Sequence, residues 1–254
     1  MISNFHTHTW RCRHASGTER EYIEEAIRGG MKVLGFSDHT PYPFPDGHDS
    51  GFRMLLEQTE DYFRTLTELK KEYADQIRIH IGVEAEYYPD VFPLLLDYLK
   101  DYPCEYMILG QHMLGNEETH EFVGRGYDEP SVLTRYVDQV LEGVSTGKFL
   151  YLAHPDMLNW TGDKALYRRE MERLCVGAKE MNCPLEINFL GIYDERHYPT
   201  ADFWEIAGRV GNTVVLGCDA HEPKGLNRPD VEARGLAIVE QYGLTLKTIT
   251  ELHT

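Results

Sequence analysis

The sequence predicts an α/β fold built on a mainly parallel sheet, and three observations predict it. Short β-rich runs recur along all 254 residues, amphipathic helical segments fill the intervals, and no low-complexity linker or shift of composition divides the chain. Seven runs qualify as strands: ISNF at 2–5, KVLGF at 32–36, IRIHIGV at 77–83, YMILG at 106–110, FLYLA at 149–153, PLEIN at 184–188 and TVVLG at 213–217. This alternation reads as one barrel-like α/β domain over residues 1–254, a unit short of the usual eight.

The intervals justify themselves in turn. EREYIEEAIRGG sets Tyr22, Ile23, Ala26 and Ile27 on one helical face and stops at Gly29 and Gly30. Residues 41–51, PYPFPDGHDSG, are too rich in proline and glycine for regular structure and read as a long loop over one mouth of the barrel. FRMLLEQTEDYFRTLTELKKEYA, 52–74, carries a helical pattern through Phe52, Leu55, Leu56, Tyr62, Phe63, Leu66 and Leu69, and SVLTRYVDQVLEGVSTG another.

Composition removes several function classes. Against 25 lysines and arginines stand 42 aspartates and glutamates, a formal charge of −17, whereas nucleic-acid binding needs cations that neutralise phosphates. Nucleic acid is therefore not an expected partner. Cys12, Cys104, Cys175, Cys183 and Cys218 are scattered without a CxxC pair, which disfavours a disulfide framework or zinc ribbon and suits a reducing cytoplasm. No leader-like segment and no run of ~18 apolar residues is present, so a soluble, unprocessed chain without a membrane partner is expected.

The residues at the carboxyl end of each strand carry the chemistry. His6 and His8 stand after the first, Asp38 and His39 after the second, Glu84 after the third, His112 after the fourth, His154 after the fifth, Asn188 after the sixth, and Asp219 with His221 after the seventh. In a parallel barrel these ends share one face. A single histidine there is ordinarily a hydrogen-bonded structural residue. His6 and His8 say more as a pair, because alternate residues of a strand face the same way and can hold one ion. Asp219 and His221 repeat that spacing, as do Glu84 and Glu86, with a solvated side chain just beyond the strand as the alternative for Glu86. With His14, seven of twelve histidines join Glu84 and Asp219 at such positions, which reads as a site for zinc, iron or manganese. His80, inside a strand, and His48, His120 and His253, in loops or the tail, read as packed or solvated; His197 is open.

Assembled, HTHTWRCRH, GFSDHTPYPFPDG, IGVEAEY, LGQHM, LAHPD, EIN and GCDAH run nearly end to end. On these motifs the chain resembles the polymerase and histidinol phosphatase (PHP) superfamily, in particular its stand-alone histidinol-phosphate phosphatases. The resemblance implies a distorted seven-stranded (β/α)7 TIM-like barrel and three divalent metal ions. His6, His8, Glu84 and Asp219 would hold one ion, Glu84 with His112 and His154 a second, and His14, His39 and His221 a third. It also implies hydrolysis of a small phosphorylated metabolite, L-histidinol phosphate, in histidine biosynthesis. Gln111 departs from the small residue that the family pattern places before the ligand histidine.

The chemistry suits such a site. Phosphate monoesters need accelerations approaching ~10²¹-fold. Clustered divalent ions bring the pKa of water to around 7 and clamp the attacking and leaving oxygens, and a bridge such as Glu84 suits ions ~3.5–4 Å apart. No GxSxG elbow, P-loop or HExxH helix offers another mechanism. Arg196 is the candidate phosphate contact, with an exposed helix-flanking role as the alternative. Asp38 either orients the second nitrogen of His39, protonates the leaving oxygen or caps its loop, and His197 is a further catalytic candidate in the region of Arg196. Tyr42, Phe44, Asp46 and Glu117 are pocket candidates for a substrate carrying an ammonium and an imidazole. Two rivals stand beside this reading: a PHP-type phosphoesterase for sugar phosphates, phosphotyrosine or nucleotides, and an inert metal-binding scaffold.

Overall fold

In the computed structural model, which describes residues 1–117 and 121–252, local capping sets the first helix. Thr18 accepts a hydrogen bond from the backbone of Glu21 while the Glu21 carboxylate reaches back to the Thr18 N–H, and helix α1 runs Glu19–Arg28 with Tyr22, Ile23 and Ala26 buried. The chain then enters strand β2, Val33–His39, buried along its whole length as parallel strands covered on both faces are.

The strands form two parallel groups. One has the order β1 (Ser3–Asn4), β2, β3 (Arg78–Ala85), β4 (Tyr106–Leu109); the other has β5 (Leu185–Asn188), β6 (Thr213–Gly217), β7 (Thr245–Leu246). The 149–153 run joins them without a continuous ladder of its own: Leu152 alone bridges to Leu109 on one side and Leu185 on the other. Its backbone is nonetheless paired both ways, since Leu109 N donates to Tyr151 O at 3.1 Å and Glu186 N to Leu152 O at 2.9 Å. Across the opposite seam Thr7 bridges to Ala220. Helices α2 (Thr59–Glu72), α3 (Phe92–Leu99), α4 (Pro130–Ser145), α5 (Lys164–Glu180), α6 (Phe189–Tyr193), α7 (Ala201–Val210) and α8 (Pro229–Gln241) fill the connections.

Two sequence expectations are corrected, and one strand is added. The predicted 52–74 helix begins only at Thr59, because Arg53 turns inward to buried carboxylates and Met54 N donates to His39 O at 3.3 Å. FLYLA pairs through isolated bridges rather than as a regular strand. An unforeseen strand, β7, pairs with β6; its two exposed residues carry no burial alternation that a pattern could reveal.

The main core lies between sheet and helices, from Tyr22, Phe36 and Tyr62 to Trp204. A smaller cluster of Phe5, Val33, Tyr106, Ile108, Tyr151 and Val215 draws on both groups of strands and on the 149–153 run between them. Register then places the chemistry: His39 on β2 lies directly opposite Glu84 on β3.

Candidate metal centre

The nine predicted residues come together at the carboxyl ends of the strands. Glu84 lies between them: Oε2 is 3.5 Å from Nε2 of His6, 3.5 Å from Nε2 of His8 and 3.1 Å from Nδ1 of His39. Its Oε1 is 2.9 Å from Nε2 of His154 and 3.6 Å from Nε2 of His112. Asp219 Oδ1 stands 3.1 Å from His8 Nε2 and 3.5 Å from His6 Nε2. The ligand atoms of His14, His39 and His221 lie within 4.8 Å of one another, as do those of His6, His8 and Asp219.

Tautomers show what this arrangement asks for. His6 Nδ1 is 2.7 Å from Glu186 and His112 Nδ1 is 2.7 Å from Glu86, so each donates there and turns Nε2, which can carry a proton or a metal ion, toward carboxylate oxygen. His14 Nδ1 donates to the Cys12 carbonyl at 2.7 Å and His221 Nδ1 to the Asp219 carbonyl at 3.1 Å. Their Nε2 atoms, 3.0 Å apart, are then two lone pairs face to face. Such pairs repel unless a cation lies between them. Among the described residues, His6 Nε2, both ring nitrogens of His8, His39 Nδ1 and Glu84 Oε2 are buried without a hydrogen-bond partner. Imidazole nitrogens and carboxylate oxygens converging in this way fit divalent metal ions.

Electrostatics divides the cluster. Burial opposes charge on every imidazole. At His6 the carboxylates of Glu186, Asp219 and Glu84 outweigh it, and at His8 those of Asp219 and Asp38 do, so both pKa values stand well above the ordinary one. At His39 and His221 burial prevails, reinforced by positive charge on His8, and both fall well below it; His14 is lowered for the same reasons. Burial alone would raise Glu84 and Asp219, yet the surrounding imidazoles, His6 foremost, hold both well below the carboxylate range.

Room for the carboxylates comes from neighbouring strands. A Cβ at Gly110, just past β4, would collide with Glu84, and one at Gly217, ending β6, would collide with Glu186. Asn188 completes the support, donating to Glu186 Oε2 at 2.9 Å and to Asp219 Oδ2 at 3.0 Å.

A cavity of about 1020 Å³ opens over the cluster, and the other predicted residues divide at its edge. Arg196 lines it, with Nη1 donating to the Tyr198 hydroxyl at 3.1 Å and Nη2 to Asp194 at 3.0 Å. Glu117 lines it too, buried, receiving Arg53 Nε at 2.7 Å. Tyr42 and Phe44 do not reach it: they stack at 5.4 Å within the core, where the Tyr42 hydroxyl donates to the Glu86 carbonyl. Asp46 is solvent-exposed and holds the His48 N–H at 3.0 Å. Asp38 is fully buried off the cavity, 3.4 Å from His8 Nδ1, so it backs His8 rather than the His39 ring and cannot meet a leaving group. His197 is exposed and donates from Nε2 to the Met157 carbonyl at 2.6 Å, away from the lining.

Other residues were read differently or missed. Glu86 is not solvated but fully buried beneath His112, with Arg53 Nη2 at 3.0 Å from its other oxygen. His48 lines the cavity, 3.3 Å from Glu117 Oε2, while His120 and His253 lie outside the described residues. Glu186 shares the face of Asn188 two residues on, a signal that could have found it. Arg53 had none, since the helical pattern placed it on a helix. Gln111 braces backbone, accepting from Tyr87 N at 2.9 Å and donating to Met113 O at 2.7 Å.

Known proteins share this arrangement of sequence and fold. The model of the PHP domain matches residues 4–189. The chain belongs to the PHP family. A "Probable histidinol-phosphatase" of Deinococcus radiodurans is 30% identical over 232 residues, 87% of each chain. The "Histidinol-phosphatase" of Bacillus subtilis is 35% identical over 133 residues, 49% of this chain and 48% of its own. The crystal structure of histidinol phosphate phosphatase from Lactococcus lactis, complexed with zinc, L-histidinol and phosphate, gives a TM-score of 0.72 over 96% of this chain and 95% of that one, at 21% identity. This PHP protein therefore shares the α/β, parallel-stranded fold of that enzyme. Among the described residues no helix is long and apolar enough to cross a membrane.

Proposed function

We propose that this PHP protein is a metal-dependent phosphomonoesterase that hydrolyses L-histidinol phosphate to L-histidinol and phosphate, in the cytoplasm. The observation that carries it is the convergence of seven imidazoles and two carboxylates beneath an open cavity, with the Nε2 atoms of His14 and His221 3.0 Å apart and several ligand atoms buried without a hydrogen-bond partner. Kinship with the Deinococcus radiodurans protein supports the substrate. Residues 1–254 are read as one unit, closed as a distorted seven-stranded barrel in which the 149–153 segment serves as the fifth stave and the Thr7–Ala220 bridge as the seam.

In this reading His6, His8, Glu84 and Asp219 hold one ion, Glu84 with His112 and His154 a second, and His14, His39 and His221 a third, each zinc, manganese or iron. Divalent ions there supply a water that ionises near neutral pH and positive charge against the phosphoryl oxygens. The protein does the rest. Glu186 and Glu86 fix the tautomers of His6 and His112. Arg196, on the cavity wall, meets phosphate oxygens. Glu117 and His48, with Asp49 beside them, give the wall acceptors for an ammonium and an imidazole.

The test is phosphate release by metal-reconstituted protein from a panel of histidinol phosphate, sugar phosphates and phosphotyrosine. Histidinol phosphate should be turned over fastest; a rate no better than the others would sink the substrate assignment and favour another phosphomonoesterase of the family.

A further inference from the structure

The YPT stretch that closes the 184–200 segment contributes a side chain not used above. Tyr198 is 2% exposed, yet its ring forms part of the cavity wall, 6.1 Å from the ring of His154. Gly191 lies flat against it: a Cβ there would come within 2.6 Å of the Tyr198 ring, so the ring has one seat. At the end of that ring the hydroxyl oxygen accepts from Arg196 Nη1 at 3.1 Å. That bond satisfies the oxygen as acceptor and leaves its proton free. Among the described residues no acceptor takes it.

On the cavity wall, an O–H that no protein acceptor occupies is available to an acceptor entering the cavity. A phenylalanine would fill the same seat but would neither hold Arg196 nor offer a donor to the cavity. The surroundings indicate what the donor meets. Burial, then the charge of Asp219, keep the phenol in its protonated, donating form. A guanidinium donating into the hydroxyl oxygen also polarises the O–H and strengthens it as a donor.

Resting on the phosphatase reading, we infer that Tyr198 is a catalytic residue: its hydroxyl, polarised by Arg196, donates a hydrogen bond to a phosphoryl oxygen of the substrate. Arg196 then has two tasks, a contact of its own and the polarisation of Tyr198. The ligand class is a phosphoryl dianion, and inorganic phosphate is sufficient as a probe.

The experiment pairs Tyr198→Phe, which keeps the ring, with Arg196→Met and the double variant, all metal-loaded. Calorimetric titration with inorganic phosphate should show binding about 10- to 100-fold weaker in Tyr198→Phe, with a matching fall in kcat/KM. Metal content and thermal midpoint should match the parent. The double variant should lose less than the two single losses multiplied together, because the residues act as a unit. Phosphate affinity within twofold of the parent overturns the inference, and so does loss of metal or of folding in Tyr198→Phe, which would make the residue structural. If the parent hydrolyses another phosphomonoester in place of histidinol phosphate while phosphate binding still depends on Tyr198, the substrate reading falls and this one stands.

Discussion

In the deep part of the cluster His6 and His112 lean on carboxylates, Glu186 and Glu86, each at 2.7 Å; at the rim His14 and His221 lean on backbone carbonyls, at 2.7 and 3.1 Å. The deep part also contains Glu84 and Asp219, whereas the rim trio brings no carboxylate of its own. Opposite pKa directions result: carboxylates drive His6 and His8 up, and burial drives His39 and His221 down. The deep half is an anionic hole that takes up protons or metal ions, and the rim half is a neutral set of lone pairs. The two halves should therefore hold cations with different strength.

The largest expected effect comes from removing the charge the halves share. Glu84→Gln should strip both deep ions and lower kcat by at least about 10³-fold, measured by elemental analysis beside phosphate release. Full metal content and full activity in that variant would mean that Glu84 bridges nothing.

A smaller effect should separate the halves. His14→Ala is expected to lose about one ion per chain, and a chelator titrated into the parent should remove that same ion first. Loss of every ion together, in either experiment, would show one indivisible cluster and break the comparison.

The smallest effect uses a buried carboxylate that has no imidazole partner among the described residues. Asp156, which takes the Thr200 N–H at 2.6 Å, is pushed up to about 6 by burial, while the equally buried Glu84 is held down. Its native pKa exceeds the unfolded value near 3.9, so the folded state binds more protons between them and stability falls as pH rises through that window. Asp156→Asn should escape this. Its thermal midpoint, level with the parent near pH 4.5, should exceed it increasingly up to pH 7, by the equivalent of about 2 kcal/mol. A gap that does not change with pH would show that burial does not set this group's titration.

Much of this was legible in the sequence because strand ends are. The run VLGFSDH predicts both a buried strand and a His39 at its mouth, and the parallel register that sets His39 beside Glu84 agrees with the strand–helix alternation. The residues behind the ligands were harder to read. Glu86 obeys the same two-residue spacing as Glu84, but whether it meets water or Arg53 depends on a segment that folds in from 33 residues earlier. Tyr42 and Phe44 share the loop that reaches the cavity through His48, but they stack on each other and on Tyr88 within the core, a packing that loop composition does not reveal. Aromatic character in a loop states an affinity for burial, not a direction.

Gly110 and Gly217 make this centre larger than its set of ligands. Anyone transplanting it into another parallel-stranded fold must carry across more than nine positions, because Glu84 needs the bare backbone of Gly110 on the next strand, and Glu186, which orients His6, needs that of Gly217. A recipient with alanine at either place would display the right donors with nowhere to put them.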